Sequence, residues 1–288
     1  MKFPRRLASE QPFSIGIPAI LWQVLFFYIP LILIVVTSFV HFTPAGFLEL
    51  TFSKISHFLT PLYLRVMGLS FLLALSNTIL CFLIAYPLAY FIAFRGKRFK
   101  NGLLFLLLIP FWTNFLLHVY AWFYVLEKHG FVNNILRQLG IIDQPLVILN
   151  TSFAIMIMMV YYYLPFMVLP IYSSLERFNH SLIEASFDLG ASWLQTFRRI
   201  ILPLTMRGIR AGFFLVYIPS FGEFAIPSLM GGDKHMFVGN VVSEYILAEG
   251  TGSLGAAFMV VSCAFLLATA IFFYWLLGKF IEPVRDHG

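Results

Sequence analysis

Residues 181–204 read SLIEASFDLGASWLQTFRRIILPL, the longest stretch of mixed polar and apolar character in the chain. Ser181 and Glu184 stand at the spacing of a capping box, which predicts a helix beginning there. Leu182, Ala185 and Leu189 share one face of that helix. Gly190 is placed to end it in the left-handed region, which a glycine enters without strain. Ser192 and Gln195 repeat the capping-box spacing, and Trp193, Leu194, Phe197, Ile200 and Ile201 line one side of a second helix. Pro203 disfavours helix at Leu202 and sets a boundary before the next apolar run. The stretch is predicted to be a helix–glycine–helix elbow. An interfacial connector between two apolar spans has the same pattern.

The rest of the chain fixes the solvent. Of 288 residues 60% are hydrophobic and 11% charged, with 34 Phe, against roughly 25% charged in a soluble domain. So much apolar surface requires lipid around it. Six runs are long enough to cross a bilayer: about 16–40, 67–94, 102–126, 151–175, 206–229 and 254–278. The run after MKFPRRLASEQ is too long for the core of a secretory signal and has no small-x-small cleavage site, so it is read as an uncleaved first span. With the N-terminus inside, 14 of the 19 Lys and Arg fall in inner segments, among them Arg95, Lys100, Arg177, Arg198, Arg199, Arg207 and Arg210. That asymmetry predicts cytoplasmic termini and a cytoplasmic elbow. The net charge of +6 is then an orientation signal, and no nucleic-acid partner is implied. The fold class expected is an all-α integral membrane protein of six transmembrane helices. Its divisions are an N-terminal segment 1–15, a transmembrane domain 16–278 with the elbow in loop 176–205, and a tail 279–288.

Cys81 and Cys263 lie in apolar runs without metal or redox spacing and are read as packing residues. The histidines are scattered. Only His118 falls within a span, where a hydrogen-bonded structural role is expected. Pro30, Pro87, Pro110, Pro165 and Pro219 each remove a backbone donor inside a span and mark kinks. No G-x-x-x-x-G-K-[ST] occurs, so the chain has no phosphate-cradling loop, and nothing in it has nucleophile–base spacing.

Polar groups at mid-bilayer are expensive and should face a cavity or another helix. Trp112, Thr113 and Asn114, in PFWTN, are candidates for lining a substrate pathway; Thr113 and Asn114 can equally bind helices together. Tyr120 and Tyr124 lie higher in the same span, with Tyr162 and Tyr217 at similar depth in the fourth and fifth. Glu223 is the one acid well inside a span, and a substrate, gate or packing role is open to it.

Glu184-Ala185-Ser186, with Gly190 six residues after the glutamate and Phe197, Ile200 and Leu202-Pro203 beyond, resembles the EAA loop of bacterial ABC importer permeases. Ser186 stands at the family's second alanine. PFWTN (110–114), GIIDQPL (140–146), LPFMVLPIYSSL (164–175) and DLGAS (188–192) look most like the spermidine/putrescine permeases. The resemblance extends through all six spans and implies a type I importer permease fold. It implies that Glu184, Ala185, Asp188, Gly190, Phe197 and Pro203 belong to a coupling loop seated on a dimer of ATPase subunits. It also implies a second, homologous permease subunit and an external substrate-binding protein. ATP and Mg would sit on the ATPase, with no cofactor on this chain. Putrescine or spermidine is the expected cargo; ferric iron, sulfate or an amino-acid derivative are alternatives. A stand-alone secondary transporter would ordinarily show paired buried charges or repeats, and a membrane scaffold would leave the midplane polar residues without use.

Overall fold

The computed structural model describes residues 16–42, 48–96, 98–232, 236–248 and 250–279. The expected segment 1–15 and the tail beyond Lys279 lie outside them. Among the described residues, five helices are long and apolar enough to cross a membrane: α1 Gly16–Phe39, α3 Pro61–Arg95, α7 Ser152–Glu176, α9 Trp193–Phe221 and α12 Gly252–Gly278. Shorter elements lie between them. Strands β1 Val40–Phe42 and β2 Leu48–Leu50 form an antiparallel pair, a small departure from an all-helical chain. The remaining helices are α2 Ser53–His57, α4 Lys100–Trp112, α5 Phe115–Leu126, α6 Phe131–Gln138, α8 Ser181–Asp188, α10 Ala225–Met230 and α11 Val238–Leu247.

The third expected span, 102–126, is not one straight helix. Its two pieces, α4 and the helical segment from Phe115 onward, are bent by 98°. Pro110 lacks a backbone donor. Thr113 and Asn114 then take extended backbone, and the Asn114 side chain accepts from Leu116 N (2.8 Å), capping the restarted helix. Asn is among the best N-caps, so the pair expected at mid-span builds the break itself.

The fifth expected span differs at both ends. Pro203 does not interrupt it. A π turn at Phe197–Ile201 precedes the proline, and Leu202 N donates to Phe197 O, five residues back. That wider turn accommodates a ring that would clash in an α turn. The helix ends at Phe221, so the expected 206–229 run is really α9, a short link and α10.

The chain divides into two compact units, one holding residues up to Leu64 with Val242–Cys263, the other Arg65–Val241 with the chain from Ala264. In the first, the Lys54 ammonium donates to the Val40 and Thr37 carbonyls (2.7 and 3.3 Å). Buried Phe58 packs edge-on to Tyr63 and Tyr245, whose hydroxyls meet at 2.6 Å. Cys263 is exposed here rather than packed.

In the second unit α9 runs against α7. The approach is close because α9 offers Gly208 and Gly212 at the contact, a small-xxx-small pair. A Cβ on Gly208 would stand 2.4 Å from both the Pro170 carbonyl and the Ser174 hydroxyl oxygens; one on Gly212 would stand 2.8 Å from Met167 Sδ. Buried Asn77 of α3 donates to Ser220 of α9 (2.8 Å), and Tyr217 of α9 donates to Thr269 of α12 (2.8 Å). Cys81 is fully buried beside Asn77, as expected of a packing residue. Such interhelical hydrogen bonds hold helices together where lipid gives no hydrophobic drive.

The glycine contact gives a test. Gly208→Val forces α7 and α9 apart at the Pro170 backbone carbonyl, which cannot retreat, and at the Ser174 side chain, an overpacking cost of about 1–3 kcal/mol. The midpoint of thermal unfolding in detergent should fall for Gly208→Val and stay near wild type for Gly222→Ala, whose added Cβ meets nothing within 4 Å.

Candidate functional site

The elbow is present, with one cap reassigned. Asn179 starts α8: its Oδ1 accepts from Ser181 N (3.1 Å) and from the Ser181 hydroxyl (2.9 Å). Ser181 therefore lies inside the first turn, and the expected Ser181–Glu184 box does not form. An asparagine two residues upstream offers an equally good acceptor. Glu184 remains in the first turn and exposed, where a carboxylate complements the helix dipole. At the other end Gly190 has φ +77°, Ala191 N donates to Ser186 O (3.0 Å) and Gly190 N to Phe187 O (2.8 Å). This is a Schellman closure, with glycine at its left-handed position. The second capping box forms as expected: Ser192 N donates to Gln195 Oε1 (2.8 Å) and Gln195 N to Ser192 Oγ (3.4 Å).

Ser186, which stands at the family's second alanine, contributes a hydroxyl that an alanine lacks. It is buried, its hydroxyl donates to Ile183 O (2.8 Å), and it meets the buried Thr196 hydroxyl at 2.8 Å. Two short helices are thus joined by the Gly190 turn and by one side-chain bond across it. The spacing of Ser186 and Thr196 carries no local signal, because their meeting depends on the turn angle.

The elbow is anchored on one side and open on the other. Phe197 packs edge-on to Tyr86, Trp193 to Tyr90, and the Tyr86 hydroxyl bonds Thr205 (3.1 Å). The Phe94 ring meets His180, and Lys100 pairs with Glu176 at the same end. Ile201 is buried, with Phe197 and Ile200 half-buried. Leu182, Ala185, Phe187, Asp188, Leu194 and Leu189 are exposed, Leu189 to 88%. The expected Leu182–Ala185–Leu189 face is therefore unpartnered among the described residues, while Ile183 and Ser186 face inward. Because Pro203 lies inside α9, the second elbow helix and the long span are one continuous body.

The expected pathway residues do not form one constellation. Trp112 is 72% exposed with its ring edge-on to Phe105, and Tyr120 and Tyr124 are exposed. Thr113 bonds Pro110 O (3.2 Å) and His118 Nε2, while His118 Nδ1 meets the Tyr161 hydroxyl (2.8 Å). His118 is structural, as expected. Tyr162 is half-buried against Phe111 and Phe115. Tyr217 is fully buried and bonded to Thr269. Glu223 lies not within a span but in the link after α9. Its Oε1 accepts from Ala225 N (3.0 Å) and Ile226 N (3.4 Å), and its Oε2 accepts from the Tyr163 hydroxyl (2.6 Å). It closes the start of α10. Among the described residues no His, Cys, Asp and Glu gather as a metal site.

Substitution at Gly190 separates backbone strain from space, since a Cβ there meets nothing within 4 Å. Gly190→Val should abolish solute uptake at normal membrane expression, the left-handed backbone costing a β-branched residue at least about 1–2 kcal/mol. Gly190→Asn, which tolerates that backbone, should retain most of it.

Over residues 85–285 the chain matches the family described as the binding-protein-dependent transport system inner membrane component. It is 41% identical over 267 residues to the spermidine/putrescine transport system permease protein PotB of Escherichia coli (strain K12), covering 91% of this chain and 97% of that one. Its identity to PotB of Haemophilus influenzae is 38% over 263 residues, 91% and 92% of the two chains. Among solved structures, its fold resembles a chain of a bacterial ABC transporter involved in importing the acidic polysaccharide alginate. The TM-score is 0.73 at 15% identity, over 96% of this chain and 99% of the other. With its apolar spans, elbow and near-full-length relatives in agreement, the chain belongs to the family of binding-protein-dependent transport system inner membrane components, as a multi-pass permease subunit of the inner membrane.

Proposed function

We propose that this permease subunit serves an ATP-driven importer of polyamines, putrescine or spermidine. The observation that carries the substrate class is the 38–41% identity, over more than nine-tenths of the chain, to permeases named for spermidine and putrescine. The partners in this reading are a dimer of ATPase subunits, a second permease subunit and an external binding protein. A solved relative in fold, the alginate transporter, is in complex with its oligosaccharide-bound periplasmic protein. Coupling loop residues Glu184, Ala185, Asp188, Gly190 and Phe197 lie in or beside the elbow, whose open apolar face is suited to a groove on the ATPase. Both termini and the elbow face the cytoplasm in this reading, following the Lys and Arg bias.

The mechanism follows from the elbow's build. Closure of the ATPase dimer on ATP displaces the gripped helix α8. The Gly190 closure and the Ser186–Thr196 bond pass that displacement to Trp193, and α9 carries it into the membrane without a joint. The cargo's ammonium groups are met by aromatic faces, at about 0.5–2 kcal/mol per cation–π contact, and by carboxylate. Trp112 and Tyr120 are exposed for this role. At Glu223, amide substitution removes the charge and keeps the shape: a glutamine oxygen still accepts from Ala225 N, and its NH2 can donate to the Tyr163 hydroxyl oxygen in place of the bond that the carboxylate accepts.

Labelled uptake by the complete transporter tests the reading, with putrescine and spermidine competed against sulfate, ferric iron and amino acids. Polyamines alone should compete, and Trp112→Ala and Glu223→Gln should each lower uptake several-fold with assembly unchanged. Competition by an anion and by neither polyamine would overturn the substrate and leave the importer standing. The chain purified alone should hydrolyse no ATP, since it has no phosphate loop; turnover that survives removal of contaminating ATPases would contradict the division of labour.

A further inference from the structure

We infer that the cleft between α9 and α12 lined by Arg207, Arg210 and Tyr274 binds the headgroup of an anionic phospholipid. The cleft has a volume of about 450 Å³ and is completed by Ala211 and Phe214. Arg207 and Arg210 are three residues apart on one helix and so share a face. Arg207 is exposed, and the half-buried Arg210 guanidinium lies over the Tyr274 ring at 4.0 Å from its centroid. Stacking occupies one face of that guanidinium and leaves its N–H edge free for a planar, bidentate acceptor. Among the described residues the one ion pair is Lys100–Glu176, so no carboxylate answers either arginine.

Two positive charges inside a span must be answered by something or reach the membrane surface. Three features make the answer a lipid phosphate. The first is depth: Tyr274 and Trp275 are exposed within the last turn or so of α12, where aromatic belts meet the headgroups. Second, the cleft has the chemistry of a basic pocket between helices, which suits phospholipid headgroups. Third, an apolar track leads from it toward the middle of the bilayer. Leu215 and Ile218 of α9, and Ile271 and Leu267 of α12, are large exposed hydrophobics on the same two helices. An acyl chain has use for that track and a free phosphate has none.

Native mass spectrometry of the complete transporter, given equal dioleoyl phosphatidylglycerol and dioleoyl phosphatidylcholine, reads the preference directly. Wild type should retain the anionic lipid over the zwitterionic one by about tenfold, as expected for two guanidiniums at a charged surface. Arg207→Gln should reduce that ratio and Arg207→Gln with Arg210→Gln should bring it near one, while millimolar inorganic phosphate should leave the wild-type adduct in place. The wild-type ratio needs no variant, and Arg207 is exposed, so both arms survive a double variant that folds badly. Equal retention of the two lipids by wild type would overturn the inference. So would an unchanged ratio in a well-folded double variant, or full displacement by phosphate. Loss of the second permease subunit from the double variant, with lipid retained, would assign the arginines to a protein carboxylate and overturn it as well.

Discussion

The close approach of α9 to α7 at Gly208 and Gly212 is the constraint on which the rest depends. Two helices in lipid gain little from burying apolar surface against each other, because the lipid is just as apolar. They gain from backbone proximity, and only glycine leaves room for the Pro170 carbonyl and the Ser174 hydroxyl at that distance. The same helix is tied to α3 through Asn77 and Ser220 and to α12 through Tyr217 and Thr269. It then leaves the bundle as the second half of the elbow. A helix held this firmly along its length can act as a lever, provided no joint lies between handle and shaft.

The π turn at Phe197–Ile201 removes that joint. Pro203 forbids an ordinary α turn, and a chain that stopped there would uncouple the elbow from the span. Widening one turn keeps the helix going and buries Ile201. On the far side of Gly190, the Ser186–Thr196 bond fixes how α8 stands on it. A hydroxyl at position 186 thus makes the elbow stiffer than two methyl groups in contact would. The open face of α8, with Leu182 and Leu189, is left for whatever grips it.

Much of this was legible in residue order. Span positions, the glycine turn and the Ser192–Gln195 box follow from period and local chemistry, which act within one turn of helix. What was not legible depends on tertiary arrangement. Asn179 displaced Ser181 as the cap because both are good acceptors and only the path of the chain decides between them. Pro203 reads as a stop because the π turn that absorbs it has no composition of its own. Thr113 and Asn114 read as polar groups that line a passage or bind helices together, and the 98° bend they build becomes visible only in three dimensions. Glu223 is similar: an acid in an apolar run looks intramembrane until the helix is seen to end two residues earlier. Gly208 and Gly212 stood in the sequence at small-xxx-small spacing, a signal available to any reading that looks for helix contacts rather than helix ends.

The claim that elbow and span move as one body is tested most directly by a distance measured along it. Spin labels at Leu194→Cys and Leu215→Cys, both exposed, can be placed in the assembled transporter after Cys81 and Cys263 are replaced by alanine. A continuous helix sets them about 30 Å apart along its axis. Double electron–electron resonance should give one narrow distance, unchanged between the nucleotide-free and ATP-bound states. A second distance, or a shift on adding ATP, would show a hinge at Phe197–Pro203 and contradict the account.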